Sequence, residues 1–150
     1  MKGEIDIIWE AIRSGKNALP WSVHGINTVA ASTTSTNPTP LYAKLLGELS
    51  YLPFVVPAGH VLAILDMHLS LETAATRESH LKILASGNGY TNIIIRDLVT
   101  YIDPAHEEHY ACVWIPEGYT VRIDLENGST GSVTFSWLVS GVLVNVREPG

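Results

Sequence analysis

The chain has 150 residues, enough for one domain, and 46% of them are hydrophobic, ample for a single core. Fifteen acidic residues against nine basic ones leave a formal charge of −6, which argues against a nucleic-acid partner, because phosphate binding rests on clustered Lys and Arg. Only 16% of the residues are charged, yet no apolar run reaches the roughly 18 residues of a membrane helix, so the surplus is expected at contacts between subunits.

Acids at Glu4 and Asp6 stand where a secretory signal would carry basic residues, so the protein is expected to be made and kept in the cytoplasm unless it leaves inside a particle. Ile5, Ile8, Trp9 and Ile12 fall at helical spacing, with Gly15 placed to end a helix over Ile5 to Ser14. A helix this short needs something to dock on, either its own domain or a partner. Trp21 to Ser32 reads as a strand region interrupted by Gly25, and Ala31 to Pro40, rich in Ser and Thr and closed by prolines, reads as an extended arm. Leu41 to Leu49 suggests a strand or an irregular edge.

From Tyr51 the pattern is that of strands and turns. Pro57-Ala58-Gly59 leads into His60 to Leu71, where Val61, Ala63, Leu65, Met67, Leu69 and Leu71 are expected on one face. Leu81 to Ala85, the turn Gly87-Asn88-Gly89, Thr91 to Ile95 and Leu98 to Ile102 follow. His106 to His109 reads as a charged loop before a strand from Tyr110 to Ile115. A second Pro-x-Gly turn, Pro116 to Gly118, then introduces the alternating run Tyr119 to Leu125. Asn127-Gly128 signals a hairpin, and a last strand carries Val133, Phe135 and Trp137 before a bend expected near Gly141. Short strands without intervening helices define an all-β class.

The paired Pro-x-Gly turns at Pro57 and Pro116, with the closing strand Ser132 to Val144, resemble small jelly-roll domains of the tumour-necrosis-factor-like type found in tailed-phage virion proteins. The pattern is most similar to the trimeric decoration, or cement, proteins of phage heads. That resemblance, over roughly Tyr51 to Val146, implies a jelly-roll β-sandwich at residues 51–150 preceded by an N-terminal helix and arm at residues 1–50. It further implies a non-enzymatic homotrimer bound to a major capsid protein on the virion surface, with Ile5, Ile8, Trp9, Ile12 and Trp21 expected to dock on that partner. The alternatives are a carbohydrate- or receptor-binding module using exposed Trp9, Trp21, Tyr42 or Tyr51, and a cupin-like metalloenzyme.

Cupins need a histidine three residues past the glycine of a Pro-x-Gly turn, and here Val121 and Leu62 stand in that position; no His-x-His occurs. His106 and His109, three apart in the expected loop, are weak metal candidates, and no cofactor is expected. Asp66 and His68 share a strand face without a nucleophile and suggest a structural or interface hydrogen bond. Cys112, which alternates with Tyr110 and Trp114, reads as a small core residue.

Overall fold

A computed structural model describes residues 4–15, 17–39, 42–45, 48–49, 52–73, 75–100 and 106–146. Helix α1 (Glu4–Ser14) is followed by β1 (Ala18–Val29), β2 (Thr33–Thr36), β3 (Tyr42–Leu45), β4 (Glu48–Leu49), β5 (Phe54–Val55), β6 (His60–Leu71), β7 (Ser79–Gly87), β8 (Tyr90–Thr100), β9 (His106–Ile115), β10 (Thr120–Asn127) and β11 (Val133–Asn145). The strands form two antiparallel sheets. Sheet A has the order β4-β3-β1-β11-β6-β9, and sheet B the order β2-β10-β7-β8 with β5 also pairing β10. Apart from the β7–β8 hairpin, each successive strand from β6 to β11 lies in the opposite sheet, which is the winding of a jelly-roll sandwich.

Alternation explains how the two sheets close on one another. Val121, Ile123 and Leu125 of β10, Leu81 and Ile83 of β7, and Val133, Phe135, Trp137 and Val139 of β11 point inward and are fully or almost fully buried. On β6 the inward residues are Leu62 and Ile64, then Met67, Leu69 and Leu71. This corrects the single face expected for Val61, Ala63, Leu65 and Met67: the register between β6 and β11 shifts at Ser140/Gly141, leaving Leu65 as an extra residue that changes parity. The bend expected near Gly141 therefore arises on β6, whereas β11 keeps its parity, with Leu143 still in the core.

The parity change leaves Val61 and Ala63 on the outer face of sheet A, and α1 covers them. Ile8 and Ala11 pack there with Val61, Ala63 and Val144, flanked by Ile12, Trp114 and Val142. Gly15 ends the helix at φ +73° and donates its N–H to the Ala11 carbonyl.

Four expectations fail for physical reasons. The arm expected at 31–40 contains a strand of the sandwich: Thr33 to Thr36 pairs with Asn127 to Asp124, since β-branched threonines suit a strand better than their low complexity suggests. Likewise β1 pairs with β11 from Ala18 to Val29, and Trp21, Val23 and Val29 lie in the core, so the boundary drawn at residue 50 cuts through sheet A. His106 to His109 is not a loop but the start of β9, the terminal strand of sheet A, where charges block further pairing. Asn127-Gly128 does not form a hairpin either; it crosses from sheet B to sheet A. There Asn127 is buried, donating to the carbonyls of Val29 and Gly131 at 3.0 and 2.9 Å and accepting from the Ser129 N–H. A short turn that does form a hairpin, between β7 and β8, is Asn88-Gly89, with φ +51° and +85°, the mirror-image turn that suits strand twist.

Candidate functional site

The two Pro-x-Gly turns meet at one end of the sandwich. Gly59 and Gly118 take positive φ, as the third residue of such a turn requires, and the segments are tied together: Gly118 donates to the Val56 carbonyl, Val56 to that of Tyr119, and Gly59 to the Glu117 carboxylate. Helix α1 and the tip of the β7–β8 hairpin lie at the same end, because β6 and β10 both begin there and Thr120 pairs with Ser86. Ile26 apart, the large apolar side chains left exposed among the described residues all belong to this end: Trp9, Leu19, Val55, Tyr90, Ile93 and Ile94. Tyr90 is 61% exposed, Val55 55% and Ile94 54%, far beyond what strand residues adjoining a core require. The opposite end is polar, closed by the Asn127 and Ser129 hydrogen bonds to the loop after Ala75 and to the end of β1.

The two outer faces differ as sharply. On sheet B, Lys82 meets Glu126 at 2.6 Å, Arg122 grips Asp124 through Nε and an Nη at 2.9 and 2.7 Å, and His80 Nδ1 lies 2.8 Å from Asp97. Its hydrogen bond to Glu126 holds the Lys82 ammonium above the ordinary lysine range, and that to Asp124 does the same for Arg122; burial opposes both. Charges satisfied in this way suit a face turned to water.

The outer face of sheet A carries Ser22, His24, Ile26 and Thr28 from β1, Ser136, Leu138 and Ser140 from β11, and Asp66, His68 and Ser70 from β6. Among these Asp66 is the one carboxylate, and it accepts the Ser140 hydroxyl at 2.8 Å. Ile26 is 51% exposed. An open hollow of about 310 Å³ lies beside it, and its lining includes His24, His68, Ser136 and Leu138. His24, Leu138 and His68 are successive register partners across β1, β11 and β6.

The residues expected to dock on a partner separate in space. Ile8 and Trp21 are buried, one under α1 and the other in the main core, so neither is available to another molecule while the fold is intact. The helix docks on its own domain. Ile12 is half-buried in the same patch, and the side chain of Ile5 lies outside the described residues, as do those of Tyr42, Tyr51, Cys112, His106 and His109. Trp9, 41% exposed, remains at the surface with its ring edge-to-face against Trp114, centroids 5.9 Å apart. Strand geometry removes the turn that would have let His106 and His109 share an ion: they sit opposite Ser70 and Met67, three residues apart in an alternating strand. Among the described residues no group of three or more His, Cys, Asp or Glu could hold a metal ion, and no helix is long and apolar enough to cross a membrane.

Sequence reasoning missed Leu19, Val55, Tyr90, Ile93 and Ile94. The run Ile93-Ile94-Ile95 on a terminal strand was the available signal, since an edge strand open to water normally carries charge. No protein-family model matches the chain, and no curated protein sequence matches it.

Proposed function

We propose that the protein is a non-enzymatic virion structural protein, a decoration or cement subunit that acts as a homotrimer on the surface of a phage head. The uneven surface of the sandwich carries this reading. Sheet B presents ion pairs to water, the outer face of sheet A carries an exposed isoleucine, and one end gathers the other exposed large apolar side chains among the described residues. In this reading the outer face of sheet A joins the copies, and the end bearing Trp9, Tyr90 and Ile94 meets the capsid. The core offers no rival chemistry at the cupin positions, where Val121 and Leu62 are fully buried among apolar neighbours.

The subunit would stabilise the shell by mass action: a trimer that binds assembled capsid protein better than loose capsid protein shifts the equilibrium toward the shell, and three linked contacts multiply the effect. The test pairs Tyr90→Asp and Ile94→Asp with particles of the cognate phage. Both sites are exposed, so the variants should keep the native mass of the parent while binding to particles falls about tenfold or more, the loss expected when a contact centre takes up an unpaired charge. Undiminished decoration by both variants would remove this end as the docking surface.

A further inference from the structure

The dipeptide Asn-Gly occurs twice in the chain, at Asn88-Gly89 and Asn127-Gly128, and the fold treats the two in opposite ways. In this dipeptide an asparagine loses its amide most readily, because glycine has no side chain to keep its own nitrogen away from the asparagine carboxamide. We infer that Asn88 is a site of spontaneous deamidation in the folded protein, and that the fold protects Asn127 from the same reaction.

In that reaction the glycine main-chain nitrogen gives up its proton and bonds to the asparagine Cγ. The Cγ–Nδ2 bond breaks, ammonia leaves with the proton, and a five-membered succinimide remains. Water then adds to either ring carbonyl and opens it, giving aspartate or, with the main chain routed through Cγ, isoaspartate. The net change is one water taken up and one ammonia released, so no oxidant or second protein is needed. What decides the rate is whether the carboxamide and the nitrogen are free to meet.

Asn88-Gly89 leaves both free. It forms the exposed tip of the β7–β8 hairpin, and among the described residues neither the Asn88 carboxamide nor the Gly89 N–H makes a hydrogen bond. A Cβ at Gly89 would meet nothing within 4 Å. The turn dihedrals must change to bring the nitrogen onto Cγ, and little resists that change. The β7–β8 register is already irregular between Ala85 and Gly87, so Gly87–Tyr90 is the one pair beyond the irregularity, and Tyr90 to Ile94 are all exposed. End pairs with no buried side chains open most easily.

Asn127-Gly128 leaves neither free. Asn127 is buried, its Nδ2 donates to the carbonyls of Val29, Ala30 and Gly131, and its Oδ1 accepts the Ser129 N–H. Gly128 donates its N–H to the Glu78 carbonyl at 3.1 Å, and that oxygen would lie 2.9 Å from a Cβ at Gly128. Reaction there has to await opening of the crossing between the sheets. The other asparagines precede Ala, Thr, Pro, Ile or Val, which crowd the nitrogen or, for proline, leave it no proton to lose. Conversion of Asn88 places a carboxylate beside Tyr90, and isoaspartate lengthens the main chain of a two-residue turn by one carbon.

The experiment holds the full chain in mildly alkaline buffer at physiological temperature, once folded and once in urea, and follows its tryptic peptides by mass spectrometry. Isoaspartyl methyltransferase with labelled S-adenosylmethionine is the probe for isoaspartate. Residues 83–96 carry Asn88 and residues 123–147 carry Asn127, and fragment ions separate these from Asn92 and Asn145. In the folded chain Asn88 should convert at least about tenfold faster than Asn127, whereas in urea the two should convert at similar rates. An Asn88 that converts in urea and not in the folded chain overturns the inference, by showing that the turn holds Cγ and the nitrogen apart. Equal rates for the two asparagines in the folded chain overturn the protection of Asn127.

Discussion

A methyl group on Gly141 would collide with the carbonyl of Ala63, which is backbone and has no rotamer to yield. The bulge at Leu65 brings that carbonyl close to β11, so the glycine and the bulge belong together. Gly141→Ala should therefore lower stability by about 2 kcal/mol or more, read as a shift of the urea midpoint at unchanged slope; a shift below about 0.5 kcal/mol would deny the close approach. Lys82 supplies a pH-dependent counterpart. Its pKa is raised in the folded chain, so the stability it contributes is complete below the value of a free lysine and is lost as pH rises through the folded value. Both partners are part-exposed, which limits the pair to about 1 kcal/mol. Lys82→Met should thus lower the urea midpoint near pH 8, and the deficit should shrink above about pH 10.5.

At the scale of elements, the strands were legible because alternation and turn chemistry agree, as at Val121, Ile123 and Leu125 after Gly118. What was not legible was which face each run presents. Val142, Val144 and Val146 look like a strand that has changed sides, yet they are apolar because α1 lies over or beside them while Leu143 stays in the core. The sequence near Leu65 has no glycine or proline to mark the bulge. The arm was misread because Ser and Thr satisfy both a solvated linker and a pairing strand, and only the partner, β10, decides between them. Docking of α1 can be tested directly: Ile8 is fully buried, so Ile8→Ala should cost about 2 kcal/mol or more, or else release the helix locally. Hydrogen exchange would then accelerate in the amides of Glu4–Ser14 and not in those of β1; an unchanged helix would contradict the packing seen against Val61 and Val144.

At the scale of the molecule, the candidate surfaces were hardly legible in the sequence, because they are defined by what the fold leaves uncovered. Trp21 and Ile8 have the residue types of a docking site and are buried, whereas Val55 and Ile94 have the types of a core and are exposed. Chain order also misleads about what can be removed: a truncation at Pro40 would take away β1, an interior strand of sheet A, and with it Trp21 and Val23 from the core. Association has to be tested on the intact chain. The most direct measurement is the native mass near neutral pH of the parent protein and of Ile26→Asp, by light scattering. A trimer is expected for the parent and, for the variant, a monomer with unchanged near-UV circular dichroism, since Ile26 is exposed on the face of the proposed contact and lies outside the core. A monomeric parent, or a variant that remains trimeric, would contradict it.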